Sequence, residues 1–346
     1  MGVNLRDLIP DSIRVETDVK GLKGNTIALD AYNTLYQFLA AIRQPDGTPL
    51  MDRMGRVTSH LSGLFYRTIN LAEEGVRPVY VFDGEPPRFK AKELEERARR
   101  REQAEAKLAE ARTAGLVEEA RKYAQQAIRL SSGMVEEAKK LLEAMGIPWV
   151  QAPGEGEAQA AYMARRGDAW AAGSQDYDSL LFGSTRLVRN LAITGRRKLP
   201  GKDLYVEVKP EVIELSALLK NLGITREQLI AIGIILGTDY NEGAKGIGPK
   251  RALNIVKSIG DPLKAIKAAG VREPWIDEVY NYFLNPPVTS DYTITFNPPN
   301  EREINRILVE EHDFNPDRVA KAVDRLKKAY RENLKAKQSR LDAWFS

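Results

Sequence analysis

The sequence predicts an α/β fold, short buried strands alternating with helices, and three observations carry that reading. Apolar runs such as Asn25-Thr-Ile-Ala-Leu29 and Arg77-Pro-Val-Tyr-Val-Phe82 have the length of buried strands. Stretches of helical periodicity separate them. The runs lead into acids, as they do where the carboxyl ends of parallel strands line a ligand crevice.

The elements follow in order. The first strand runs into Asp30, and a helix is expected from Asn33 through Arg43. Gln44-Pro-Asp-Gly47 is a turn signal, and a second helix spans Ser59 to Glu74. The strand Arg77–Phe82 leads into Asp83-Gly84. From Arg88 to Gln126 the chain is charged and Ala-rich, with Lys90, Lys92, Arg97, Arg99, Arg100 and Arg101 near its start. It lacks an apolar stripe wide enough for a core helix. It reads either as a solvated helical hairpin or as a mobile basic helix over a cleft. Lys90, Arg97 and Arg101 recur at helical spacing and can share a face.

The α/β pattern resumes with a helix to Met145, a strand Ile147–Gln151 and a helix opened by Pro153-Gly-Glu-Gly-Glu-Ala158 that runs through Arg166. Trp170–Ala172 is a strand that ends at Gly-Ser-Gln-Asp-Tyr-Asp178. A hairpin-like stretch with a basic turn at Gly195-Arg-Arg-Lys198 follows. Past Val208 the chain is expected to be mainly helical. Asn297-Pro-Pro-Asn300 reads as a connector, and the Lys/Arg-rich end as mobile.

Composition narrows the function classes. The chain has 346 residues, 29% of them charged, and a net charge of +4, which favours nucleic acid only weakly. Cysteine is absent, which excludes disulfides, thiolate zinc sites and cysteine nucleophiles and suits a reducing cytosol. The two histidines, His60 and His312, lack ligand spacing, so neither a histidine zinc site nor a Ser-His-Asp triad is expected. No apolar run is long enough to span a bilayer, and no signal peptide is expected before the first strand.

Asp30, Asp83, the pair Glu155 and Glu157, and the pair Asp176 and Asp178 all lie just past a strand. A further acid, Asp239, follows an apolar helix in Leu236-Gly-Thr-Asp-Tyr240. An extended segment points residues i and i+2 the same way, so each pair is expected to present two carboxylates to one site. Carboxylates gathered on one rim repel unless cations neutralise them. Oxygen-only ligands suit Mg²⁺ or Mn²⁺, and two such ions about 4 Å apart activate water and stabilise a leaving oxygen in phosphodiester cleavage. The alternative is that these acids are helix caps and turn formers.

The stretch from Gly237 to Ala252 joins two helices. Gly246 and Gly248 let the backbone approach a phosphate, Pro249 suits a first helical turn, and Lys250 and Arg251 follow. The free N–H groups of the new helix with these cations make an anion site, a clasp on a DNA backbone that reads no sequence. The alternative is a Gly-rich helix connection. Near the end, Gln338, Leu341, Trp344 and Phe345 make a Gln-x-x-Leu-x-x-aromatic-aromatic pattern similar to the short motif that binds the replication sliding clamp, with Trp in place of the usual Phe or Tyr. Packing of the terminal helix on the body is the other reading.

Together, Asp30, Phe82-Asp-Gly-Glu-Pro-Pro87, Gly154-Glu-Gly-Glu-Ala158, Ser174-Gln-Asp-Tyr-Asp178 and Gly237-Thr-Asp-Tyr240 resemble the archaeal and eukaryotic flap endonucleases. The resemblance covers nearly the whole chain, and Thr194-Gly-Arg-Arg-Lys-Leu-Pro-Gly201 is similar to the archaeal branch.

The resemblance implies a mixed, mainly parallel sheet flanked by helices, with a helical arch and a helix–two-turn–helix clasp. Its divisions are residues 1–89 and 131–235 for the nuclease core, 90–130 for the arch, 236–270 for the clasp, 271–330 for a C-terminal helical region and 331–346 for a mobile tail. It implies removal of 5′ flaps in Okazaki-fragment maturation and base-excision repair, with secondary 5′–3′ exonuclease activity. The metal ligands are then Asp30, Asp83, Glu155, Glu157, Asp176, Asp178 and Asp239, and the catalytic basic pair is Lys90 and Arg97. Tyr36 stacks on a base, and Gly2 lies near the site. The clasp holds K⁺ in some members. The implied partners are branched DNA and the sliding clamp, proliferating cell nuclear antigen. A monomer is expected, in the cytoplasm of an archaeon or the nucleus of a eukaryote.

Rival readings remain. Asp176-Tyr-Asp178 resembles the Asp-x-Asp of aspartyl phosphatases, but Ser179-Leu180 replaces the Thr or Val that should follow. A non-catalytic, clamp-tethered scaffold for branched DNA would tolerate loss of the acids, all of which stand. A third rival is a related nuclease with a preference for bubbles, four-way junctions or 5′ ends.

Overall fold

The computed structural model describes residues 2–44, 47–193, 195–198 and 205–345; for residues 193, 195–198, 205–207 and 335–345 it describes the backbone alone. The strands are β1 Arg14–Glu16, β2 Thr26–Asp30, β3 Arg77–Phe82, β4 Trp149–Gln151, β5 Ala171–Gly173, β6 Arg186–Arg189, β7 Gly195–Lys198, β8 Tyr205–Val208 and β9 Glu211–Glu214. Among the described residues, seven of them form one sheet in the order β1-β9-β6-β5-β2-β3-β4, and β7 pairs with β8 alone. The run from β6 to β4 is parallel, and β9 and β1 close one side antiparallel. The central strands β2 and β3 are buried along nearly their whole length, which is why they read as continuous apolar runs instead of alternating ones.

Helices cover both faces. On one lie α1 Ala31–Ala41 and α2 Ser59–Glu73. Beyond them α3 Ala91–Thr113 and α4 Val117–Gln126 pack on each other, and their buried residues are only Ala104, Ala111 and Ala124. The core elements continue with α5 Ser132–Met145, α6 Gly156–Arg166, α7 Asp178–Leu181, α8 Leu215–Leu222 and α9 Arg226–Leu236. After them come α10 Pro249–Ile259, α11 Pro262–Ala268, α12 Ile276–Leu284, α13 Glu301–Asn305 and α14 Pro316–Phe345.

Phe38, Phe65, Leu142, Leu308 and Val323 unite α1, α2, α5 and α14 in one core cluster. Leu181, Ile230, Val256, Ile266 and Phe283 unite α7 and α9 to α12 in a second. Burial of each apolar side chain contributes about 1.5–3 kcal/mol. Helix α9 is buried almost all round, so it anchors the residues that follow it.

One expectation needs correction. Gly195–Lys198 forms the strand β7, not a turn: Gly195 pairs with Val208 and Lys198 with Tyr205. Arg196 and Arg197 are not turn-forming residues. Past Val208 the chain is mainly helical, as expected, with one further strand, β9, which pairs with β1 and β6 and whose Glu-Val-Ile-Glu neither alternates nor forms a continuous apolar run. Helix α14 continues through Phe345 in backbone; the side chains of Gln338, Leu341, Trp344 and Phe345 lie outside the described residues. Among the described residues no helix is long and apolar enough to cross a membrane.

Candidate active site

Seven carboxylates gather at the carboxyl edge of the parallel strands, each held by a local feature of the chain. Asp30 ends β2 and caps α1, its Oδ1 accepting from the Asn33 amide at 2.9 Å. Asp83 follows β3, and its Oδ1 accepts from the Gly156 amide at 2.7 Å. A Cβ on Gly156 would stand 2.6 Å from that same oxygen, so the close approach requires glycine. Glu155 is the N-cap residue of α6, and Glu157 lies in its first turn. Asp176 follows β5, Asp178 opens α7, and Asp239 follows α9.

The extended-pair argument holds for one pair and fails for the other. Asp176 and Asp178 stay together around Gly2, where a Cβ would meet Asp176 Cγ and Asp178 Oδ1 at 3.0 Å each, whereas Glu155 and Glu157 straddle the start of α6 and diverge. Glu155 turns to Lys90, at 2.6 Å, while Glu157 turns to Ser174 and Ser179. The acids nevertheless act on one another. The cap and site readings of Asp30 also hold together, since the carboxylate that caps α1 is one of the cluster.

Their titration shows the convergence. Burial raises Asp30 far above the usual carboxylate range, and Asp83, Asp176 and Glu155 add repulsion, against the Asn33 bond. Burial raises Glu157 as far, with Asp178, Asp176 and Asp30 adding to it. Burial, then Asp239 and Asp176, push Asp178 up to about 7. Burial, then Glu155, push Asp83 up to about 6. All seven acids are joined by this repulsion.

Two cations enter the cluster, Lys90 from the turn before α3 and Arg97 from α3 itself. Lys90 Nζ lies 2.6 Å from Glu155 Oε2 and 3.9 Å from Asp239 Oδ2. An Arg97 guanidinium nitrogen lies 2.7 Å from Asp239 Oδ2, and Arg97 also pairs with Glu93. Burial opposes the ionised form of Asp239, but Arg97 and Lys90 outweigh it and hold its carboxyl below the usual range. Among the described residues no three His, Cys, Asp or Glu side chains are arranged to grip an ion as they stand. The donor chemistry nevertheless fits a hard divalent cation. The ligands are all oxygens, and the charge on four of the acids is left repelled instead of paired.

The other expected residues fall into three places. Gly2 touches the cluster: its amide donates to Asp176 Oδ1 at 3.4 Å, and a Cβ there would meet Asp176 Cβ at 2.7 Å. Tyr36 lies on α1, half-buried, one turn beyond Tyr32. Gly246, Gly248, Lys250 and Arg251 lie away from the acids, at the start of α10. Gly248 is its N-cap residue, Pro249 its first residue, and no side chain caps it. Gly246 has φ +76° and open space around it, and Lys250 and Arg251 are exposed.

Sequence reasoning missed several contributors. The Val3 amide donates to Asp178 Oδ1 at 2.7 Å, and Asn33 Nδ2 donates to Asp176 Oδ2 at 3.1 Å. Tyr240 places its ring 5.9 Å from Lys90 Nζ. Glu93 had a visible signal, its i,i+4 spacing to Arg97; the others act across sequence separations that no local pattern reveals.

Comparison with known proteins is consistent across sequence and structure. The XPG N-terminal domain family matches residues 1–104, and the XPG I-region family matches residues 146–239. The chain is 68% identical to Flap endonuclease 1 of Aeropyrum pernix, with 100% of both chains covered. It is 58% identical to Flap endonuclease 1 of Pyrococcus abyssi, covering 100% of this chain and 98% of that one. The solved structure of flap endonuclease-1 from Methanococcus jannaschii matches with TM-score 0.76 and 45% identity, covering 95% of this chain and 98% of that one. The catalytic core of Rad2 in complex with DNA substrate matches with TM-score 0.70 at 22% identity, covering 94% and 100%, and shares the fold.

Proposed function

The chain belongs to the flap endonuclease family, and on that premise we propose that its clustered carboxylates hold two Mg²⁺ ions, with Mn²⁺ able to replace them. It is a structure-specific nuclease that hydrolyses phosphodiester bonds of DNA at 5′ flaps, and its family depends on divalent metal. The observation that carries the metal reading is the gathering of Asp30, Asp83, Glu155, Glu157, Asp176, Asp178 and Asp239 from distant segments into one set of mutually repelling carboxylates.

When bound, such ions supply an activated water and charge stabilisation at the leaving 3′ oxygen. The chain's own groups do the rest. Lys90 and Arg97 are the catalytic cations, offsetting charge that develops on the phosphate. Tyr36 receives an unstacked base, an interaction worth about 1–3 kcal/mol. Gly2 leaves room beside Asp176 that a side chain would fill. Gly246, Gly248, Lys250 and Arg251 grip the duplex backbone, with K⁺ a further ligand of that turn.

Residues 1–89 and 131–235 form the nuclease core, 90–130 the arch, 236–270 the clasp, 271–330 the C-terminal helical region and 331–346 the tail. Gln338, Leu341, Trp344 and Phe345 dock on the sliding clamp. The enzyme works as a cytoplasmic monomer in replication and base-excision repair, with secondary exonuclease action at 5′ ends.

The test is Mg²⁺-dependent cleavage of a labelled double-flap DNA, with single-stranded and blunt duplex controls, by wild type and Asp178→Ala. Selective incision near the flap base, lost in the variant while binding persists, supports the metal site. An undiminished rate for Asp178→Ala removes that residue from the metal site. Tight flap binding without incision in Mg²⁺ or Mn²⁺ favours a scaffold.

A further inference from the structure

Lys90 sits in a short turn, Arg88–Lys90, between Pro87 and helix α3. Its neighbour Phe89 packs edge-on against Tyr240, with centroids 5.2 Å apart, and against Tyr282, 5.3 Å apart. Those two tyrosines meet edge-on at 5.5 Å, and both lie against further aromatic rings, Phe182 for Tyr282 and Phe283 for Tyr240. Tyr240 follows Asp239 in the chain, and the Trp275 indole donates to its carbonyl at 3.0 Å. On either side of Lys90, Arg88 pairs with Glu278 of α12 and Lys92 pairs with Glu242 of the turn before α10. Three residues at the root of α3 therefore grip the half of the molecule that follows α9.

We propose that Phe89 is the positioning residue for Lys90, seating the root of the helical pair α3–α4 on the Tyr240–Tyr282 pair and thereby holding the lysine among Glu155 and Asp239. The inference rests on the catalytic role proposed for Lys90. A lysine stem has four rotatable bonds, and catalysis requires its head to stay within a fraction of an ångström. The two ion pairs are weak candidates for this task. All four of their side chains are about half exposed or more, and exposed pairs contribute little. The aromatic contacts are partly or fully buried and directional, so Phe89 is the anchor that water does not compete for. The same seat joins Lys90 to the residue after Asp239.

The test is a cycle of Phe89→Ala, Lys90→Ala and the double variant. It is read by single-turnover cleavage of a double-flap DNA in Mg²⁺ and by binding of the same DNA in Ca²⁺. Phe89→Ala should slow cleavage by about tenfold or more with binding changed less than about twofold. Phe89→Leu, which keeps apolar volume, should restore most of the rate, and it carries the cycle if the alanine variant does not fold. In the Lys90→Ala background the Phe89 change should have little further effect, because coupled residues are not additive. A wild-type rate for Phe89→Ala overturns the inference, and so does an equal slowing in both backgrounds. A wild-type rate for Lys90→Ala instead overturns the role of Lys90 itself and with it this inference, while the carboxylate site is judged separately by Asp178→Ala.

Discussion

Lys90 Nζ lies 2.6 Å from Glu155 Oε2, and each side chain is only 11% exposed. Burial alone would lower the lysine's pKa, but Glu155, Asp239 and Asp83 more than reverse this, so the ammonium remains charged through the neutral range. The pair brings a fixed cation to acids that otherwise repel one another. Lys90→Ala should reduce single-turnover flap cleavage about 100-fold or more while leaving flap affinity nearly unchanged. A loss of affinity in step with rate would instead mark Lys90 as a binding residue.

Stability should depend on pH through the same cluster. Asp178 rises from its ordinary value to about 7 in the fold, so the folded protein keeps a proton that the unfolded chain has released. The contribution is present below the unfolded value and is lost as pH rises through about 7. In chelator, Asp178→Asn should therefore match wild type at pH 4 and become the more stable protein by about 2–4 kcal/mol near neutrality. The amide can still accept from Val3. Adding Mg²⁺ should stabilise wild type more than the variant, because a cation that binds only the fold shifts its equilibrium. Urea unfolding at several pH values, with and without Mg²⁺, measures both effects.

Gly2→Ala puts a methyl 2.7 Å from Asp176 Cβ and 3.0 Å from Asp178 Oδ1. The carboxylates must move, by an amount small for packing and large for chemistry. Cleavage should fall about tenfold or more while the melting temperature changes by only a few degrees, as expected when reacting groups shift by a fraction of an ångström.

Gly248→Ala makes the opposite test, since a Cβ there meets no protein atom within 4 Å. The variant should fold as wild type and yet bind flap DNA more weakly, because the added methyl meets only the phosphate. Lys250→Ala and Arg251→Ala should each weaken binding and reduce the slope of log affinity against log salt by about one. Unchanged salt slopes would remove this turn from the DNA interface.

Removing residues 338–346 should leave basal flap cleavage intact and abolish its stimulation by the sliding clamp. Cleavage assays with and without clamp distinguish this outcome from packing of the terminal helix on the body.

Strand periodicity made the four strands β2 to β5 and the rim of acids legible, because a strand buried on both faces is a short apolar run and the residue after it inherits the crevice. The divergence of Glu155 from Glu157 was not legible, because Glu155 stands where α6 begins and a change of backbone direction separates it from Glu157. Strand β9 was missed because Val212 and Ile213, flanked by two glutamates, make neither an alternating pattern nor an apolar run, although the strand lies between β1 and β6. Contacts between distant segments left no local trace at all. His60 and His312 carry no ligand spacing, yet both turn to Glu137, at 3.1 Å and 3.7 Å. Phe89 looks like an ordinary apolar residue in a basic run until Tyr240 and Tyr282 are set beside it.

The seven acids span the chain from Asp30 to Asp239, and the last of them arrives only after helix α9 has been made. A nascent chain still lacking that helix presents an incomplete set and no Asp239 for Arg97 to meet. The proposed metal site is therefore assembled only late in synthesis, because its acids are spread across the sequence and no fragment ending before α9 carries all seven.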